Sequence, residues 1–287
     1  MQDNINSHNI IKLLKGKDIK TPYLESLYLI IISIINLYNE DNIDDLINKT
    51  TFIFDNTDNI KKSIQGYRNE KALTKVNIKD NLDINYTLVI NLDYKPTTYQ
   101  IIEYLAHELN YIYCSLKQTF IKKDDDLIFH NGLFVSSVKS NKSYGKTLNE
   151  VYNCYQSEKI IEYILNINPT TLEADVYMTL MDIKENIPKH IRSPRYPNEV
   201  ALFREFLSNK QIKKIVDTNI KNGNVLVIEE VFNSILGKDS YQDLNNKLDS
   251  LSDYLHKSKK LKVKEISILN CEIRNIINNF TSNYKEA

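Results

Sequence analysis

The stretch YLAHELNYIYC, residues 104–114, decides how the rest of this chain is read. Ile101, Leu105, Ile112 and Leu116 recur at helical spacing through it, and Ala106, Leu109 and Tyr113 widen the apolar stripe. That pattern predicts an amphipathic helix over residues 98–120. His107, Glu108 and Tyr111 ride on it, with His107 and Tyr111 four residues apart and so on one face.

Upstream, YTLVINLDY (86–94) is the clearest strand; Asp93 and Pro96 end it, and Thr97 or Thr98 is placed to cap the helix. TFIFD (51–55) and TKVNI (74–78) are short, β-branched and aromatic, and read as weak strands. Thr21-Pro22 opens an earlier helix that reaches Tyr38. Its run LYLIIISIINLY (27–38), closely bracketed by Glu25 and Asn39, is the most apolar of the chain. A helix of that length spans about 18 Å, well short of a hydrocarbon core of about 30 Å. A buried helix is expected there, and no membrane span.

Downstream, IKKDDD and FHNGLFVSSVKSNKSYGKT read as an irregular or hairpin segment. A second helix is expected over 147–165, with Thr147 placed to cap it and Glu150 at the third position of a capping box. After the Pro-containing link IPKHIRSPRYP (187–197), the segments EVALFREFLS, QIKKIVDTNI, LVIEEVFNSIL and the run after Asp239 are successive amphipathic helices. The expected fold is α+β and predominantly α-helical, with a small sheet next to the 98–120 helix and a helical C-terminal half. The expected division is 1–186 and 187–287, or else one continuous domain.

Composition narrows the function. Lys+Arg and Asp+Glu both total 37, so no basic field exists to hold a nucleic-acid backbone, and nucleic acid is not expected as a partner. Cys114, Cys154 and Cys271 are odd in number and widely spaced, which suits free thiols rather than a disulfide framework or a Cys-rich zinc module. The N-terminus MQDNINSHNIIKLLKGK lacks the pattern of a signal peptide, so a cytoplasmic location is expected. Abundant Asn, Ile, Lys and Tyr read as an AT-rich genome.

Two histidines at i and i+4 on one helical face can grip a single zinc ion, and a glutamate after the first can serve as general base. A carboxylate from a later helix then completes a His₂Glu site. Here His107 and Glu108 are present. In LNEVYNCY, Glu150 lies near a helix start, 39 residues after Tyr111.

His107-Glu108 followed by Asn149-Glu150 resembles the gluzincin group of zinc metallopeptidases, whose thermolysin-like members carry HExxH and a later NExx helix. More closely, the chain resembles peptidase-like proteins of low-GC Gram-positive bacteria, in the order YTLVINL, HELNY, HNGL (130–133) and TLNEVYNCYQSEKI. RSPRYPNEVALFREFL and NGNVLVIEEVFNSIL fit the same layout, and the match spans about residues 84–255. The resemblance implies zinc, with His107, Tyr111 and Glu150 at the ligand positions and Glu108 as general base. It also implies Tyr196 as a candidate for stabilising the oxyanion. His190 and Arg195 lie nearby.

The departure is at Tyr111, where the second histidine belongs. A phenol must lose its proton to bind a metal well, whereas imidazole is available neutral at pH 7. His107 and Glu150 alone are too few for a stable site. Cys154, one turn beyond Glu150, is the better substitute ligand; Cys114 is about 10 Å along the helix from His107; His130 could fold back. Each has a plainer reading, the cysteines as small buried apolar residues and His130 as an exposed loop residue. A His-Glu dipeptide is likewise common in helices, and Glu150 suits a helix N-terminus without any metal.

Three functional readings stay open. The first is a peptidase scaffold with a degraded metal site, a non-catalytic pseudopeptidase binding a peptide or protein, for which strand 86–92 could accept an extended peptide by strand addition. The second is an active zinc-dependent peptidase using Tyr111 or Cys154 as substitute ligand. The third is a helical interaction protein unrelated to peptidases. Oligomeric state is open in all three.

Overall fold

The structure is a computed structural model and describes residues 3–20, 22–39, 43–78, 83–116, 119–123, 126–137, 139, 143–188, 191, 196–222, 225–257 and 262–284. In chain order the elements begin α1 (Asp3–Lys15), α2 (Tyr23–Tyr38), α3 (Asp44–Asn48), β1 (Thr50–Asp55), α4 (Thr57–Ser63), β2 (Ala72–Ile78), β3 (Ile84–Asn91) and α5 (Thr98–Leu116). Then follow β4 (Thr119–Lys123), β5 (Asp126–Asn131), β6 (Phe134–Ser137), β7 (Ser143–Tyr144), α6 (Lys146–Asn166) and α7 (Ala174–Glu185). The chain closes with α8 (Pro197–Ser208), α9 (Lys210–Asn222), α10 (Val225–Leu236), α11 (Ser240–His256) and α12 (Val263–Asn283). The class is α+β and mostly helical, as the sequence pattern predicts.

Two compact units share these elements. The first takes residues 1–116 and 156–192, the second 117–155 and 193–287. The chain crosses between them at 116/117, 155/156 and 192/193, and the expected cut at 186/187 lies near the last of these. The crossing at 116/117 was not expected, and it gives the second unit the strands β4–β7 and the start of α6.

In the first unit, β3 runs between β1, to which it is parallel, and β2, to which it is antiparallel. Tyr86, Leu88, Val89 and Ile90 of β3 are buried. Because both sides of β3 are filled, an extended peptide cannot add alongside strand 86–92; that expectation is overturned, and among the described residues the outer edges belong to β1 and β2. The strand ends at Asn91, three residues short of the predicted Tyr94, where the Asn91 side chain accepts the Asp93 N–H at 3.0 Å and starts a 3₁₀ turn.

Thr97 and Gln100 then cap α5 reciprocally. The Thr97 hydroxyl accepts the Gln100 N–H at 3.3 Å, and the Gln100 side chain accepts the Thr97 N–H at 3.0 Å. Helix α5 ends at Leu116 rather than 120, since Thr119 and Phe120 pair in β4. It packs against β2, β3, α2 and α7. Helix α2, the most apolar segment, is buried along nearly its whole length, as expected. Among the described residues no helix is long and apolar enough to cross a membrane.

In the second unit, β4–β7 form an antiparallel meander, so the segment read as irregular or hairpin is ordered pairing. Helices α8–α12 supply an aromatic core. Phe232 and Phe280 stack at 4.0 Å between centroids, with Phe206 tilted against both. A cavity of about 20 Å³, lined by apolar side chains including Leu133, Leu148, Val216, Leu248 and Ile277, lies within this core.

Candidate functional site

On α5, His107 and Glu108 are both buried and Tyr111 is half-buried. The next turn is held by its polar groups. Tyr38 of α2 donates its hydroxyl to Asn110 Oδ1 at 2.8 Å and stacks on Tyr113 at 4.5 Å. Asn110 Nδ2 reaches Cys114 Sγ at 3.8 Å, so Cys114 is a small buried residue one turn along, in keeping with its plainer reading. Tyr111 lies close enough to Tyr86 of β3 to act on its charge: burial raises the Tyr86 phenol well above its usual range, and Tyr111 raises it further.

Of the carboxylates on α6, Glu158 belongs to the first unit and is buried. Its charge acts on Tyr99 of α5, whose phenol is pushed up to about 12, first by burial and then by Glu103 and Glu158. Sequence reasoning passed over Glu158, because nothing in its spacing separates it from an ordinary surface residue of a helix.

Glu150 and Cys154 lie in the stretch of α6 that belongs to the second unit. Cys154 is fully buried. The helix starts at Lys146, so Thr147 is not its N-cap. Its N–H is instead taken by Asp249 Oδ1 of α11 at 3.0 Å, a cap supplied from 102 residues away. Asn149, beside Glu150, is buried and accepts the backbone N–H of Leu133 at 2.9 Å. The Asn-Glu pair therefore has a structural use for its first member: it ties the Gly-Leu turn between β5 and β6 to α6.

The expected ligands are thus divided, His107 and Tyr111 in the first unit and Glu150 in the second. A phenol is a poorer zinc ligand than the imidazole it replaces, since it must lose its proton to bind well. Among the described residues, no three of His, Cys, Asp or Glu are grouped to hold a metal. The side chain of His130, and all of His190 and Arg195, lie outside the described residues.

Tyr196 is placed in the second unit, at the N-cap of α8, with φ 53° and ψ 45° in the left-handed region. Its ring meets that of His256 edge-on at 5.1 Å. His256 closes α11, and its Nε2 lies 3.0 Å from Oε1 of Glu199, in the first turn of α8. Neither Glu199 nor His256 was singled out from the sequence. Each suits its helix end by charge, Glu199 near an N-terminus and His256 at a C-terminus, and 57 residues of separation hide the pairing.

Against this geometry, comparison with family models, with curated proteins and with solved structures finds no match to the chain.

Proposed function

We propose that this chain is a non-catalytic peptide- or protein-binding protein built on a gluzincin-type scaffold, with α5 as the descendant of an HExxH helix. The observation that carries this reading is Tyr111, which occupies the second ligand position and sits beside the Tyr86 phenol of β3. A ligand that must be deprotonated in that setting is a poor replacement for a neutral imidazole. Peptide binding would use an outer edge of the first sheet, on β1 or β2.

The test is metal content by elemental analysis of protein purified without added zinc or chelator, with Tyr111→His alongside. The reading expects no zinc in the wild type and about one zinc per chain in Tyr111→His, where a neutral imidazole replaces the phenol. About one zinc in the wild type would overturn it in favour of a hydrolase with a substitute ligand. No zinc in either protein would count against the peptidase resemblance itself. Glu108→Gln should leave peptide affinity unchanged in the binding protein and abolish turnover in a hydrolase.

A further inference from the structure

In the second unit, Glu199 and His256 make an arrangement that peptide binding does not use. The Glu199 side chain is 0% exposed and that of His256 41% exposed. A carboxylate only accepts, so the 3.0 Å contact places the imidazole proton on Nε2 and leaves the lone pair on Nδ1. Among the described residues, Nδ1 has no hydrogen-bond partner, and neither has the buried Oε2 of Glu199. The charges that flank His256 in sequence, Asp253 of α11 and Lys257 just after the helix, pair with each other at 2.6 Å. Tyr196 stands edge-on to the imidazole from a left-handed backbone that non-glycine residues seldom adopt, a kind of strain that gathers at working sites.

An imidazole fixed from behind by a buried carboxylate, with its other nitrogen bare and the ring reaching solvent, is built to take up a proton. We propose that Glu199 and His256 form a hydrolytic dyad for small uncharged carboxylic esters. His256 Nδ1 takes a proton from water as the water oxygen adds to the ester carbonyl. The acyl C–O bond then breaks, and the imidazolium returns the proton to the leaving alkoxide. One water and one ester give one acid and one alcohol, and the dyad is restored. His256 is the catalytic residue, and Glu199 is a positioning residue that holds the Nε2–H tautomer. The negative charge behind the ring disfavours anionic substrates.

The experiment is hydrolysis of p-nitrophenyl acetate by the full chain between pH 5 and 9, compared with His256→Gln and Glu199→Gln. General-base catalysis by a positioned imidazole predicts that the wild type exceeds His256→Gln by about tenfold or more. Glu199→Gln should lose most of that difference and shift the pH profile while unfolding as cooperatively as the wild type. The four other histidines are common to all three proteins, so the difference isolates His256. Equal rates for wild type and His256→Gln would overturn the proposal. Should His256→Gln fail to fold, ¹⁵N NMR of the wild-type imidazole decides: a proton on Nε2 with bare Nδ1 is expected, and the opposite tautomer overturns it.

Discussion

Leu133 donates its backbone N–H to Oδ1 of Asn149 at 2.9 Å, and its carbonyl oxygen occupies the space where a side chain at Gly145 would begin. A Cβ at residue 145 would stand closer to that oxygen than real contacts allow, and the backbone there has φ +79°. The Gly-Leu turn and the Asn-Glu helix, which carried much of the resemblance in sequence, are thus joined in the second unit by a side-chain hydrogen bond and a close backbone approach.

Asn149→Ala should remove a buried acceptor and strand the Leu133 N–H, at a cost of about 1–3 kcal/mol. Gly145→Ala should cost about 1–2 kcal/mol for the left-handed backbone, with the clash adding to it. Both act on one turn, so the double variant should lose less than the sum. Urea unfolding of the three variants gives the comparison, and additive losses would show that the two contacts are independent.

Phe280 stacks on Phe232 at 4.0 Å and also meets Phe206 and Tyr284. Phe280→Ala should therefore cost about 3–5 kcal/mol by opening a cavity in a core that cannot fully collapse. A loss below about 1 kcal/mol in denaturant titration would mean that α12 contributes little to the second unit.

Tyr38→Phe keeps the stacking on Tyr113 and removes the hydroxyl that Asn110 accepts. The expected loss is about 1 kcal/mol, the net worth of one hydrogen bond. Thermal unfolding should show it as a drop of a few degrees, and an unchanged midpoint would show that solvent replaces the bond at no cost.

Alkaline pH should weaken the second unit through Lys247. The hydrogen bond with Glu272 at 2.9 Å is the largest influence holding its ammonium above the ordinary value of 10.5, against the smaller opposing effect of burial. A raised value in the folded state means that the contribution is complete below 10.5 and fades as pH rises through the folded value. Stability measured from pH 9 upward should fall less steeply in Glu272→Gln than in the wild type, and parallel slopes would remove Lys247 from the account.

Local sequence alone determined a good deal of this protein. The stripe through Ile101, Leu105, Ile112 and Leu116 set the existence of α5, the β-branched run after Tyr86 set β3, and Thr97 with Gln100 capped the helix between residues three apart. These depend on periodicities and contacts within one or two turns, which a chain carries in its own order. Tertiary structure decided the remainder. Both flanks of β3 are filled by strands from elsewhere in the chain, Thr147 is capped from α11 rather than by its own box, and His256 finds Glu199 across 57 residues. Hydrogen bonds of that kind have no signature in local spacing, because each partner alone is an ordinary residue at a helix end or on a strand. Whether His107 and Glu108 still serve chemistry depended on what stands beside them, and the neighbour found beside Tyr111 is a buried phenol from the adjoining strand.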